Sequence, residues 1–183
     1  MSNVTIVDWR TGVPEDSGLE AAQSFGCEFF QVLVSGRYNM EGRFLVSIIN
    51  RMRWKKTGYD ALDNSSSLGV PLDGKWHWQT GMAEIAAWCP LPDIKDPRWI
   101  SCQEKLPEET EKIYTSGRLK MITVLAVHEI YEGIPRISML NRVNIEKTGI
   151  PHLDEQTTDG WEWSSNAGNV LTWMPLPSPF QES

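Results

Sequence analysis

Cysteine is scarce in this chain: Cys27, Cys89 and Cys102 are all it has in 183 residues. An odd count with no metal-like spacing excludes a disulfide framework and predicts a reduced, intracellular protein. Histidine is as rare, with His77, His128 and His152. His128-Glu129 has no partner one helical turn on, so the zinc-protease pattern fails. Glycine-rich phosphate loops are missing as well, since "SSSLG" and "SNAGN" lack the strand-to-helix setting such a loop needs. No apolar run approaches the ~20 residues that span a bilayer. The opening "MSNVTIVDWRTGVPEDSG" has no basic region followed by an apolar stretch, so no signal peptide is expected. Positive charge is short too: 17 Lys and Arg stand against 24 Asp and Glu, a net −7. That argues against direct nucleic-acid binding, which needs a basic face, and permits a basic protein partner. These absences together predict a cytoplasmic protein with no membrane span, no metal and no cofactor.

Tryptophan, by contrast, is abundant, with nine residues, and 40% of the chain is hydrophobic, enough for a packed core. The tryptophans expose an internal repeat. "DGKWHWQTGMAEIAAWCPLP" aligns with "DGWEWSSNAGNVLTWMPLP" once Lys75 is skipped, which matches Trp76 to Trp161, Trp78 to Trp163 and Trp88 to Trp173. "EGRFLVSIINRM" aligns with "EGIPRISMLNRV" without a gap and pairs Glu41 with Glu132, Asn50 with Asn141 and Arg51 with Arg142. "DWRTGVPED" resembles "RWISCQEKLPEE", the first copy being three residues shorter between Trp and Pro. The three matches occur in the same order in both halves, which predicts a tandem duplication. The units are 1–93 and 98–183, joined by a short linker at 94–97.

Local patterns predict a mainly β fold. "FFQVLVSG" and "MITVLAVHEI" are β-rich apolar runs bounded by Gly or polar residues. "FLVSIINRMRW" and "RISMLNRVNI" alternate as half-buried strands do. Trp-x-Trp sets both rings on one face of a strand. "EIAAW" and "NVLTW" read as short strands ended by Pro, and "PEDSGLEAAQSF" and "PEETEKIYTSG" each read as a turn or a short helix. Each unit is therefore expected to be a small Trp-rich antiparallel sheet or open barrel. Its last strand carries a Trp into the core, and its Pro-Leu-Pro tail, stiff and extended, lies across the end of the sheet as a latch.

The residues from about Arg98 to Phe180 also carry a resemblance. Trp99, Ile100, Ser101, Leu106 and Pro107 at one end, with Trp173, Met174, Pro175, Leu176 and Pro177 at the other, resemble domain of unknown function 551, found largely in phage and prophage proteins. The first half resembles it less closely: it lacks Ile-Ser after Trp9 and has Cys89 in place of Met. The resemblance implies origin in a phage, prophage or mobile element, and brings no catalytic residue with it.

Candidate chemistry is sparse. His77 is answered by Glu162 in the other half, so a duplicated role does not use it. Cys89 is answered by Met174 and reads as a core residue. The polar and aromatic features kept in both halves are Trp76, Trp78, Trp161, Trp163, Asn50, Arg51, Asn141 and Arg142. Outward-facing indoles stack on bases, sugars or cations, and an Arg fork suits phosphate or carboxylate. The competing reading makes the tryptophans structural and the Asn-Arg pairs turns with exposed charge. On the binding reading, replacing Arg51 and Arg142 together by Ala is expected to leave folding intact and to weaken activity in a phage-defence assay. The expected function is a non-enzymatic binding protein: an anti-defence factor that blocks a host defence protein complex or sequesters a small nucleotide-like ligand. The alternative is a small hydrolase or nuclease using loop carboxylates such as those of "HLDEQTTDG". A homo-oligomer is left open.

Overall fold

The computed structural model describes residues 7–24, 26–54, 71, 73–131, 133–155, 157, 160–164 and 167–181. They divide into two compact units, Val7–Leu91 with the tail that begins at Ser178, and Pro92–Pro177. The first unit carries β1 (Ala22–Ser24), β2 (Cys27–Arg37), β3 (Leu45–Trp54), β4 (His77–Trp78) and β5 (Glu84–Pro90). All pairings are antiparallel. β2 is central, with β3 and then β4 on one side and β1 and β5 sharing the other. The second unit carries β6 (Ile100–Ser101), β7 (Tyr114–Ser116), β8 (Leu119–Glu129), β9 (Pro135–Ile145), β10 (Glu162–Trp163) and β11 (Asn169–Pro175). Here β8 is central, β9 and β10 lie to one side, and β11 with β6, and β7, lie to the other. The protein is thus mainly β, with two antiparallel sheets.

The central strands are apolar runs because both of their faces are covered. In β2, Val32 and Val34 join Phe30, Ile49 and Trp88 in one core cluster. Leu33 and Ser35, on the opposite face, are fully buried as well. In β8, Ile122, Val124 and Ala126 meet Leu140, Ala167 and Trp173.

The two sheets share their registers. Phe30 faces Arg51 and Ile122 faces Arg142; Val34 faces Trp88 and Ala126 faces Trp173. Each last strand departs from regular pairing at the same place, opposite Ser35/Gly36 in one unit and Val127/His128 in the other. Arg51 pairs with Trp78 as Arg142 pairs with Trp163. Arg10 bridges Trp88 as Ile100 pairs with Trp173. Glu132, the expected counterpart of Glu41, lies outside the described residues.

The expected short helices shrink to single 3-10 turns, Pro14–Asp16 and Pro107–Glu109. The residues that follow enter β1 and β7, because so short a helix is marginal alone whereas a strand gains a ladder on β2 or β8. β5 and β11 each run two residues further than expected, past Trp88 and Trp173 to Pro90 and Pro175.

The tails differ from the expected division at 98–183. The tail after Pro177 belongs to the first unit, where Trp9 Nε1–H donates to the Ser178 carbonyl at 3.1 Å and the Phe180 amide donates to Ser35 Oγ at 3.0 Å. The tail after Pro92 belongs to the second, where Trp99 Nε1–H donates to the Asp93 carbonyl at 2.7 Å. Each Pro-Leu-Pro therefore leads the chain away from the sheet it ends and fastens it to the other unit's opening Trp. An extended, stiff segment loses little entropy when pinned in this way.

The two buried anchors are not equally satisfied. Trp173 Nε1–H donates to the Lys105 carbonyl at 2.8 Å. Trp88 Nε1 is buried without a hydrogen-bond partner. The cause is the shorter first loop: Trp9 is followed by Pro14 after fewer residues than separate Trp99 from Pro107, the stretch that supplies Lys105. Trp173→Phe strands a carbonyl, whereas Trp88→Phe removes a stranded donor. Urea unfolding should therefore find Trp173→Phe about 1–3 kcal/mol more costly than Trp88→Phe, the range for an unsatisfied buried polar group. Equal losses would refute this account of the loop.

Candidate functional site

Pro14 fixes the backbone for a tight turn, and that turn presents Glu15 to β3. Arg51 grips the Glu15 carboxylate with two donors, Nη2 at 2.6 Å and Nε at 3.2 Å. The guanidinium carbon stands 5.1 Å from the centre of Trp78, which neighbours Arg51 across the ladder. Pro107 and Glu108 repeat the arrangement in the second unit. Arg142 donates from Nη2 at 2.5 Å and Nε at 3.1 Å to Glu108, and lies 5.1 Å over Trp163. Both arginines are covered, with side chains 14% exposed for Arg51 and 8% for Arg142. Burial pushes the Glu15 carboxyl up, but the Arg51 hydrogen bond, a backbone hydrogen bond and the charges of Arg51 and Arg53 together outweigh it and hold the group below 4.5.

The asparagines are internal as well. Asn50 Nδ2 donates to Gln79 Oε1 at 2.9 Å, and Asn141 Oδ1 accepts from Thr123 Oγ1 at 2.7 Å. Trp76 and Trp78 pack against the first core cluster, and Trp161 and Trp163 against the second. The eight predicted residues thus gather four to each unit. The two Arg forks are closed by carboxylates, and three of the four indoles carry an arginine of their own unit: Arg53 lies 4.9 Å over Trp76.

Arg53 leads to the feature that the sequence did not reveal. It pairs with Glu28 across β2 and β3 and forms part of the lining of a concavity of about 670 Å³ on the first unit. Four carboxylates line it, those of Glu15, Asp16, Glu20 and Glu28, together with the rings of Phe30 and Trp76. The two rings stand 5.1 Å apart, tilted by 35°. Glu15 and Glu28 are held by arginines, whereas Asp16 and Glu20 have no ion pair among the described residues. The second unit differs at the same register: Lys120 and Asn144 face each other where the first has Glu28 and Arg53. The one signal in the sequence was the acidic residue after Pro in both opening segments, but nothing local linked it to Arg51, 36 positions on.

The other titratable candidates are committed elsewhere. Burial raises the thiols of Cys27 and Cys102, and pushes that of Cys89 up to about 11, so none is primed as a thiolate nucleophile. His128 is buried between the Ala167 carbonyl, which accepts from Nδ1 at 2.7 Å, and the Ser138 hydroxyl at 2.8 Å from Nε2. That fixes the proton on Nδ1 in the neutral ring. His77 Nε2 contacts Asp73 at 2.9 Å, and the side chain of His152 lies outside the described residues. Among the described residues no three His, Cys, Asp or Glu side chains gather as a metal site requires, and no helix is long and apolar enough to cross a membrane.

These features define a two-unit, all-β protein in which each sheet carries a largely covered Trp, Arg and Glu triad. Its second unit resembles a recognised family: the model for protein of unknown function (DUF551) matches residues 98–181. No curated protein and no solved structure matches the chain.

Proposed function

We propose that this is a duplicated, non-enzymatic binding protein of phage or mobile-element origin, acting in the host cytoplasm as an anti-defence factor. It blocks a host defence protein by receiving a basic surface of that protein in the acidic and aromatic concavity of the first unit. The observation that carries this reading is the pair Asp16 and Glu20, which line the concavity with no ion pair among the described residues. Four carboxylates against one arginine, Arg53, leave the hollow net negative, and such a field draws an oppositely charged partner. The matched registers of the two sheets, and the exchange of their tails, support duplication as the origin of the chain.

Nucleotide sequestration is the weaker form of the hypothesis. Arg51 and Arg142, the donors it needs, are each held bidentate by a half-buried glutamate, and a phosphate would have to displace that carboxylate. The hydrolase reading gains nothing from Asp154, whose carboxylate accepts from the amides of Thr148 and Gly149.

Native mass spectrometry of the tagged protein drawn from host cells tests the proposal. A polypeptide adduct is expected on the parent and not on an Asp16→Lys/Glu20→Lys variant of unchanged melting temperature. A nucleotide-sized adduct kept by both proteins would overturn it.

A further inference from the structure

We infer that the concavity of the first unit is a receptor for an arginine side chain of the partner; the inference rests on the reading of that hollow as a site for a basic surface. Three observations point to a guanidinium and not merely to positive charge. First, the lining offers two carboxylates with no ion pair among the described residues, Asp16 and Glu20, beside the part-exposed indole of Trp76, which Arg53 already covers on one side and which packs on the buried Phe30. A planar, weakly hydrated fork satisfies both kinds of surface, bonding carboxylate oxygens in its plane while its faces and methylene stem lie against rings. A lysine ammonium is a compact and strongly hydrated charge that gives up more water for fewer directed bonds.

Second, the same unit already uses this chemistry on itself. Arg51 lies between Glu15 and Trp78, and Arg53 pairs with Glu28 and covers Trp76. These two arginines satisfy two of the four lining carboxylates and leave Asp16 and Glu20, so an incoming guanidinium repeats a pattern that the fold has built twice beside the hollow. Third, the concavity is an open hollow of about 670 Å³, a size within the ~300–1,000 Å³ range of small-ligand sites. It exceeds what a metal ion or a water cluster fills and accommodates one long side chain with its flanking backbone.

Calorimetric titration at 0.15 M salt with the capped tripeptides Ac-Arg-Arg-Arg-NH2 and Ac-Lys-Lys-Lys-NH2 tests the inference, since that ionic strength screens the diffuse charge of the protein. The Arg peptide is expected to bind about tenfold more tightly than the Lys peptide, a factor in keeping with the greater strength of charge-assisted bidentate bonds. Asp16→Asn/Glu20→Gln should weaken the Arg peptide by about tenfold or more. Glu104→Gln/Glu155→Gln removes the same charge from exposed positions of the second unit and should leave binding unchanged. Equal affinity for both peptides, lost in the Asp16/Glu20 variant, would overturn guanidinium recognition and leave the basic-partner reading standing. No binding of either peptide, or equal weakening by both double variants, would overturn the inference and that reading together.

Discussion

Trp173→Ala is expected to cost about 3–5 kcal/mol, the range for deleting a large core aromatic. The indole is fully buried among Ile122, Val124, Ala126, Leu140 and Ala167. Its backbone is laddered on both sides, to Ala126 in β8 and Ile100 in β6, so the strand cannot slide inward to refill the space. The lost bond to the Lys105 carbonyl adds to the cavity. Trp88→Ala should be severe through the same packing term and milder through the polar one, because its indole N–H has no partner to lose. Losses of this size are a large part of the stability of a small domain. Urea unfolding followed by circular dichroism reads both variants, and a Trp173→Ala protein that melts within a few degrees of the parent would remove the anchor from the account of this fold.

The second large effect lies at the ion pairs. Arg142→Ala should destabilise by about 3–5 kcal/mol, because it leaves Glu108 covered without a counter-charge and strips the cation from Trp163. The sequence suggested the reverse, that Arg51→Ala and Arg142→Ala together would spare the fold, since the loss of an Arg was expected to disturb the core less than the loss of a Trp. Both arginines instead lie within strands and each is paired with a half-buried carboxylate. Arg142→Lys should rescue only part of the loss, since an ammonium can neither span both carboxylate oxygens nor stack flat on indole. Glu108→Gln in the Arg142→Ala background should recover stability by removing the stranded charge, and a double-mutant cycle measures the coupling. Simple additivity of the two changes would show that the pair is not coupled.

The same pairing sets a pH dependence. The Glu15 carboxyl is lowered below 4.5 in the folded protein, so the folded state holds fewer protons than the unfolded one where the two titrate. Stability from this group is complete above 4.5 and is lost as pH falls through the lowered folded value. Acid unfolding should therefore begin below about pH 4.5 and shift in Glu15→Gln, which has no proton to take up. An unaltered acid limb in that variant would place the acid sensitivity elsewhere.

The strands were legible in the residues alone. "QVLVSG" and "TVLAVHE" are β-branched apolar runs, and a run of that kind buries both faces wherever it is put, so β2 and β8 depend on local chemistry. The correspondence of Trp88 with Trp173, and of Arg51 with Arg142, was also written in the spacing, since equal spacing along paired strands yields equal register. What the sequence could not decide was which groups meet across long separations. Glu15 finds Arg51 because β4 sets Trp78 beside β3 and the turn at Pro14 folds back over it, a geometry that depends on register and loop length together. The tail bond between Ser178 and Trp9 spans nearly the whole chain, and composition says nothing of which Trp a Pro-Leu-Pro segment will reach. The concavity follows from the same cause: Asp16, Glu20 and Glu28 belong to separate turns and strands, and only the fold brings their charges to one hollow beside Phe30 and Trp76. Periodicity is a property of neighbours in sequence, which local sterics impose; a site is a property of neighbours in space, which the closing of loops and the burial of one face select.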